Sequence, residues 1–384
     1  MRILVINYEY PPIGGGGGDA SKYISEGYAA QGHQVIVLTA HWDHLPHRET
    51  PRQNLTLMRI FALRKAADHA TPFQMAAFMV LAFPRALLCA LRFKPDVVHC
   101  HFAIPVGPIG LGVKAFTGIP YIVTFQGGDV PGFVPEQTGK YFRLIMPLAR
   151  MVVHKASHAV ASGEGLRKMA VQDFGRSDIL HIPNGVDVDL FKPLENSGNT
   201  GPVRIVFAGR FNPQKALHRL IHAISLLIQK GLLDFRVDLI GGGPLEANLR
   251  SLIKDLKIES HVYFHGWMTR EELSGHLGKA DIFVLPSDVE GMPVACLQAM
   301  ASGLAIIGSR IMGIQELVRE GENGLLVEKG DIPALAEALE SLIINRTILK
   351  KMGMRSREIA YTGFRWEVIC NQYLELMHDI MEKL

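Results

Sequence analysis

The run from Asp288 to Gly303 (DVEGMPVACLQAMASG) sets an acid, a glycine and a proline directly ahead of a helix-like apolar stretch. Pro293 suits the first helical position, where no amide hydrogen is missed. The free amides of such a first turn point back toward Glu290 and Gly291, and a helix N-terminus attracts phosphate through hydrogen bonds and its macrodipole. The segment is therefore a place for a diphosphate. Gln298, eight residues after Glu290, falls about one turn further in, where a polar side chain could reach sugar hydroxyls.

A second segment, Gly209 to Lys215 (GRFNPQK), brings two cations to a predicted strand end. Arg210 offers a planar fork and Lys215 a mobile point charge, both suited to phosphate oxygens. A nucleoside diphosphate leaving a sugar gathers negative charge as the bond breaks, and fixed cations lower that barrier without a metal. Two solvated surface cations are the plainer alternative.

Other motifs are weaker. Pro11 to Gly18 (PPIGGGGG) follows the first predicted strand and precedes a helix, so it reads as a flexible loop whose backbone, at Gly15 and Gly16, can approach a ligand. It matches neither G-x-G-x-x-G directly after a strand nor a P-loop, which removes support for dehydrogenase and P-loop chemistry. Ile240 to Leu245 (IGGGPL) closes another strand with a tight turn, where a base or ribose could press on backbone. Asp187 and Asp189 have D-x-D spacing but sit in a turn entering a linker. His41, His44 and His47, and the pair His99 and His101, have no companion cysteine or carboxylate cluster for a metal. Solvated loop histidines account for the first set; His101, at a strand end, is placed to touch substrate.

The elements that position these residues alternate short β-rich runs with longer helical patterns, as in parallel sheets covered on both faces. Strands are predicted at Ile3–Ile6, Gln34–Leu38, Val97–Cys100, Tyr121–Thr124, Ala159–Ser162 and Ile179–Ile182. A second series runs through Arg204–Gly209, Arg236–Ile240, Val262–His265, Asp281–Leu285, Ala305–Gly308 and Gly324–Val327. The expected architecture is α/β, with two Rossmann-like doubly wound domains, residues 1–190 and 203–363, joined by a Pro-, Gly- and Asn-rich linker near 190–202. Ligands bind at the carboxyl ends of strands in such sheets, so the site is expected in a cleft between the domains. Residues 364–384 carry apolar positions at helical spacing, a terminal helix in need of a partner.

Composition narrows the function classes. With 384 residues, 48% of them hydrophobic, each domain can bury a full core. A formal charge of +3 over that length argues against nucleic-acid binding. Cys89, Cys100, Cys296 and Cys370 lack metal or redox spacing, which points to buried thiols in a reducing compartment. No cofactor and no metal is expected, the nucleotide sugar being a substrate. The apolar run after Met1 is too short for a signal sequence, so a cytoplasmic protein is expected. The stretch Phe73 to Leu91 is interrupted by Gln74, Pro84 and Arg85 and lacks the ~18 uninterrupted apolar residues of a spanning helix. Two readings of it stay open: a pair of helices buried or interfacial in the first domain, or a patch facing the inner side of the cell membrane, with Arg64, Lys65, Arg85, Arg92 and Lys94 nearby.

Taken in order, these motifs resemble the retaining glycosyltransferases of family 4, which have the two-domain GT-B fold. Pro11-Pro12 with Gly15 and Gly16 is similar to that family's first-domain loop, Pro183 to Asp187 to its hinge-side loop, and Gly209-Arg210 with Lys215 to its phosphate pair. Glu290, Gly291 and Pro293 match its E-G-x-P-x4-E signature. The resemblance implies that Glu290 contacts the donor sugar, that Gly291, Met292, Pro293 and Val294 hold the diphosphate through backbone, and that position 298 holds ribose. It also implies that the terminal helix crosses back onto the first domain.

Two positions depart from the pattern. The signature's second glutamate is Gln298, a neutral amide that both accepts and donates. The family's active-site histidine is Gln126, in Thr124 to Asp129 (TFQGGD), which cannot act as a base. In a front-face retaining mechanism, which the resemblance suggests, the leaving phosphate takes the acceptor's proton. The expectation is transfer of a sugar from a nucleoside diphosphate sugar to a hydroxyl acceptor, with Gln126, Asp129 and His101 on the acceptor side. A GT-B nucleotide-sugar epimerase or hydrolase, and a catalytically silent nucleotide-sugar-binding subunit, are the alternatives.

Overall fold

Runs of Val, Ile and Leu buried on both faces become parallel strands, because a sheet covered on both sides leaves no solvated face for alternating polar residues. The computed structural model describes residues 1–64, 66, 70–133, 135–194 and 201–383, with the side chains of 135–143 left out. The chain divides into two units, Met1–Asn184 with Trp366–Leu384, and Gly185–Arg365. Of the Pro-, Gly- and Asn-rich stretch read as a linker, residues 195–200 lie outside the described residues.

The first unit holds β1 (Arg2–Ile6), β2 (Gln34–Ala40), β3 (Arg48–Arg52), β4 (Leu55–Ile60), β5 (Val97–His101), β6 (Tyr121–Phe125), β7 (His158–Ala161) and β8 (Leu180–His181). They form one sheet in the order β3-β4-β2-β1-β5-β6-β7-β8, parallel except for β3 against β4. The hairpin of β3 and β4 is absent from the sequence expectation. Leu55, Leu57 and Arg59 of β4 alternate inward, a period-two signal that could have been read, whereas Arg48–Arg52 has no apolar residue and owes its extended state to pairing.

The second unit holds β9 (Val203–Arg210), β10 (Phe235–Gly242), β11 (Val262–His265), β12 (Ile282–Leu285), β13 (Ala305–Ser309) and β14 (Gly324–Val327), in the order β11-β10-β9-β12-β13-β14. This is the doubly wound order in which the first and fourth strands lie side by side, and the crevice beyond their carboxyl ends is the preferred ligand position. The glycines after Ile240 do not turn at once: β10 continues to Gly242, which pairs with Arg210.

Two helices differ from expectation or extend it. Pro72–Phe93 is a single helix of 22 residues, not a pair, and it is long and apolar enough by length and composition to cross a membrane. It starts on a capping box between Thr71 and Gln74 and carries Pro84 in its interior. Trp366–Glu382 returns to the first unit, where Ile369, Tyr373, Leu374 and Met377 pack with Ile3, Val5, Ile24 and Tyr28, and Trp366 stacks on Tyr23 at 5.0 Å.

Candidate functional site

In the second unit the loops after β9 and β12 carry the predicted cations and acid. Arg210 is exposed at the carboxyl end of β9. The next turn is set by Asn212, whose side chain accepts from the Lys215 amide at 3.2 Å and caps the one-turn helix Pro213–Lys215. Gln214 then stitches this turn to the loop after β12: its side chain donates to the Val289 carbonyl at 2.7 Å, and its carbonyl accepts from the Asp288 amide at 2.8 Å. Arg219 donates to Asp288 at 2.7 Å and reinforces the same seam. The result is that Lys215 Nζ lies 2.6 Å from Glu290 Oε1, with the Lys215 side chain 20% exposed and that of Glu290 7%.

Behind Glu290, the backbone of residues 290 and 291 rests on Gly313. A Cβ there would overlap the carbonyl oxygens of Glu290 and Gly291, so only glycine allows this approach. Gly291 and the buried Met292 then lead into the helix Val294–Ala301, which begins one residue later than expected, with Pro293 as the cap residue. Its amides at Val294 and Ala295 find no backbone acceptor among the described residues. Gly291, Val294, Ala295 and Gln298 are all partly open, while Cys296, Leu297 and Met300 are buried. The open stripe thus runs from the helix start to Gln298, as i, i+4 spacing requires.

In the first unit the ends of β1 and β5, again side by side, gather the other predicted residues. The helix Gly16–Ala30 takes up three of the loop glycines, with Gly15 as its cap residue. The Gly15 amide is engaged by the Glu9 carboxylate at 3.2 Å, a contact that puts negative charge at this helix start. Gly17 is held by Asn7, which donates to its carbonyl, and a Cβ on Gly17 would meet the Phe102 ring and Gln126. Glu9, Asn7 and Gly17 were not singled out from the sequence; an acid six positions before Gly15 was the available signal.

Gln126 is partly exposed, and its Nε2 lies 3.2 Å from Nδ1 of His101, where the amide donates to the ring nitrogen. That bond uses the amide nitrogen of Gln126 and not its oxygen. His101 itself, expected to touch substrate from its strand end, is 0% exposed and stacks on His99 at 4.3 Å. Burial lowers the His101 pKa to about 3, so the ring is neutral near pH 7. Its buried Nε2 makes no hydrogen bond among the described residues. Asp129 is also buried. Its oxygens accept from the amides of Ala103 at 2.7 Å and of Gln126 and Gly127 at 3.0 Å, which fixes the backbone under Gln126. Burial pushes the Asp129 carboxyl up to about 6 against the pull of these amides.

The remaining motifs are structural in form. Asp187 accepts from the Leu190 amide and lies 3.8 Å from Arg270, holding the turn. His41 and His47 stack at 4.2 Å and bond to the carbonyls of Leu45 and Arg59. Among the described residues no three His, Cys, Asp or Glu side chains group as a metal site. All four cysteines are free and buried.

Two sequence families match the chain, Glycosyltransferase Family 4 over residues 14–190 and Glycosyl transferases group 1 over residues 192–359. WcaL of Salmonella typhimurium, named as a glycosyltransferase of colanic acid biosynthesis, is 34% identical over 316 residues, covering 76% of this chain and 73% of that protein. Among solved structures, a sucrose-phosphate synthase from Thermosynechococcus elongatus superposes with a TM-score of 0.83 at 19% identity, covering 100% of both chains. Anabaena Alr3699/HepE in complex with UDP and glucose gives a TM-score of 0.76 at 17% identity, covering 99% of this chain and 100% of that one.

Proposed function

We propose, for a chain that belongs to the group 1 and family 4 glycosyltransferases and has their GT-B fold, that Arg210 and Lys215 hold the diphosphate of the sugar donor and Glu290 orients the sugar. Membership makes it an enzyme that moves a sugar from a nucleotide donor to an acceptor. The finer assignments are these: the backbone from Gly291 through Met292 and Pro293 to Val294 receives the phosphates, Gln298 binds ribose, and Gly15 and Gly16 are further phosphate-binding positions. Gln126 accepts a hydrogen bond from a sugar or acceptor hydroxyl, with His101 and Asp129 as its positioning residues. No cofactor or metal takes part.

The observation that carries the reading is the ion pair of Lys215 with Glu290 beside an open helix start, at the carboxyl end of the first and fourth strands. A lysine ammonium has three donors, so one held by Glu290 leaves two for phosphate oxygens. Retention of anomeric configuration, by a front-face mechanism, is part of the same proposal. It is supported by Gln126, which cannot take a proton, and by the burial of His101, both of which leave the departing diphosphate as the proposed acceptor of the hydroxyl's proton.

The acceptor is proposed to be membrane-borne, met by the first unit at the inner face of the membrane. The helix Pro72–Phe93 buries Phe78, Ala82 and Ala86 and leaves Phe73, Val80 and Leu91 at 72%, 66% and 58% exposure. At 100° per residue these three fall on one side, with Arg85 and Arg92 along its edge, the pattern of an interfacial helix. Buried free thiols favour a reducing compartment.

The test is a thermal-shift screen against uridine, guanosine and adenosine diphosphate sugars, followed by product analysis with and without acceptor. Stabilisation by one donor, and a product glycoside with the donor's anomeric configuration, is expected. Inverted product overturns the retaining mechanism, hydrolysis or epimerisation alone points to the other enzyme class, and tight binding without turnover to a silent subunit.

A further inference from the structure

The amino ends of β9 and β10 bring two arginines side by side at the far end of the strand from Arg210. Arg204 and Arg236 are register partners on these adjacent strands, a relation in which like charges repel. Lys279 and His276 join them around a bay of about 200 Å³, and Asp238 is the carboxylate in its lining. Asp238 is already engaged, accepting from Arg236 Nη2 and from His265 Nε2 at 2.8 Å. By contrast, the side chains of Arg204 and Lys279 make no hydrogen bond or ion pair among the described residues, and neither does the buried Nε of Arg236.

The bay is built rather than a chance cluster of loose cations. The Arg236 guanidinium lies over the Tyr263 ring at 4.5 Å and is tied to Asp238, so its direction is set. The His276 ring packs edge-on against His265 at 5.0 Å. Burial lowers the His276 pKa, followed by the charge of His265, so the ring is neutral near pH 7 and serves as a hydrogen-bonding group. Three cations line the bay against Asp238, and the Asp281 carboxylate accepts from the Arg204 amide at 2.8 Å beside it, so the bay keeps a net positive charge that suits a phosphate monoester.

We propose that this bay binds the phosphate group of a small phosphorylated molecule, at a site separate from the donor diphosphate. Arg204 and Arg210 are six residues apart on β9, which at about 3.3 Å per residue places the two sites roughly 20 Å apart. Arg204 and Arg236 are the fork donors, Lys279 is the mobile counter-charge, and His276 offers a neutral hydrogen bond.

The experiment is calorimetric titration of the full chain with inorganic phosphate and with glucose 6-phosphate, in chloride buffer. It compares wild type with Lys279→Glu, Arg204→Ala, Arg204→Lys and Lys215→Ala. Lys279 is exposed, so its substitution does not threaten the fold, and Arg204→Lys keeps the charge should Arg204→Ala fail to fold. Phosphate binding weakened at least about tenfold in Lys279→Glu, yet retained in Lys215→Ala, is expected, since one charged hydrogen bond contributes ~1.5–3 kcal/mol. Affinity unchanged in Lys279→Glu, or abolished in a Lys215→Ala protein whose circular dichroism shows it folded, overturns the proposal. Within a positive result, tighter binding of the sugar phosphate assigns a phosphorylated metabolite, and equal binding assigns free phosphate.

Discussion

Lys215 and Glu290 stand 75 positions apart in the chain and meet at 2.6 Å in the fold. Their contact is made by neither residue's own element: Asn212 caps the turn that aims the lysine, Gln214 ties that turn to Val289, and Gly313 supports the acid from behind. The pair leaves Glu290 a second carboxylate oxygen and Lys215 two ammonium hydrogens, the groups proposed to meet a sugar hydroxyl and phosphate.

Lys215→Ala strands a carboxylate that is 7% exposed without its counter-charge. Breaking a buried pair in this way costs roughly 3–5 kcal/mol, so Tm should fall, and turnover should drop by about 10²–10³ with the loss of a charge on the leaving group. Glu290→Gln should cost less stability, because it removes the charge instead of isolating it. Calorimetry and kcat for both variants and the double mutant check this; a Lys215→Ala protein with wild-type Tm and kcat contradicts it.

Gln298→Glu tests the ribose assignment. The residue lies on the open stripe that starts at Val294, and a carboxylate there accepts two hydroxyls where the amide accepts through one oxygen. Donor affinity by calorimetry should be unchanged or higher. A strong loss removes Gln298 from the ribose site.

Stability should rise with pH on the acid side because of the buried histidines. His101 has its pKa lowered to about 3 and His99 well below its usual value, both by burial. Between about 3 and the unfolded value near 6.5 the unfolded chain binds more protons at His101, so that ring adds up to roughly 1.4 kcal/mol per pH unit, and His99 acts in the same direction. Asp129 works in the opposite sense: raised by burial to about 6 from 3.8, it keeps a proton that the unfolded chain has lost, and its contribution falls as pH rises through that window. Urea midpoints at several values from pH 4 to pH 7 should show a shallower slope for His101→Asn and a steeper one for Asp129→Asn. Unchanged slopes would rule out these two groups as the source.

Membrane docking should depend on the outer side of the Pro72–Phe93 helix. Phe73 and Leu91 are exposed there, and inserting one such side chain contributes about 1.5–3 kcal/mol. Leu91→Glu should therefore weaken binding to anionic phosphatidylglycerol vesicles about tenfold or more, and salt should weaken the wild type through Arg85 and Arg92. Cosedimentation that is equal for the variant and the wild type argues for a different covering of this face.

Much of the fold can be read locally, and the exceptions have physical causes. Twelve expected strands correspond to strands in the fold, since parallel strands covered on both faces announce themselves as apolar runs. The edge strand Arg48–Arg52 carries no such run and is extended because β4 pairs with it. Pro84 leaves its helix intact because the carbonyl it orphans, four residues earlier at Val80, lies on the exposed side. The candidate site divides the same way. Arg210, Lys215, Glu290 and the helix start were marked by residue type and neighbours. The engagement of the Gly15 amide by Glu9 and the burial of His101 behind Gln126 were not.

By itself, then, the sequence determined two α/β units, a basic turn after one strand and an acid before a helix start after another, because propensity and periodicity act over a few residues. Only the tertiary structure decided which of those charges share a hydrogen bond, which histidine is buried and neutral, and which two arginines lie in register on neighbouring strands. Such pairings depend on strand order and on the seating of loops at strand ends, and no local preference encodes either.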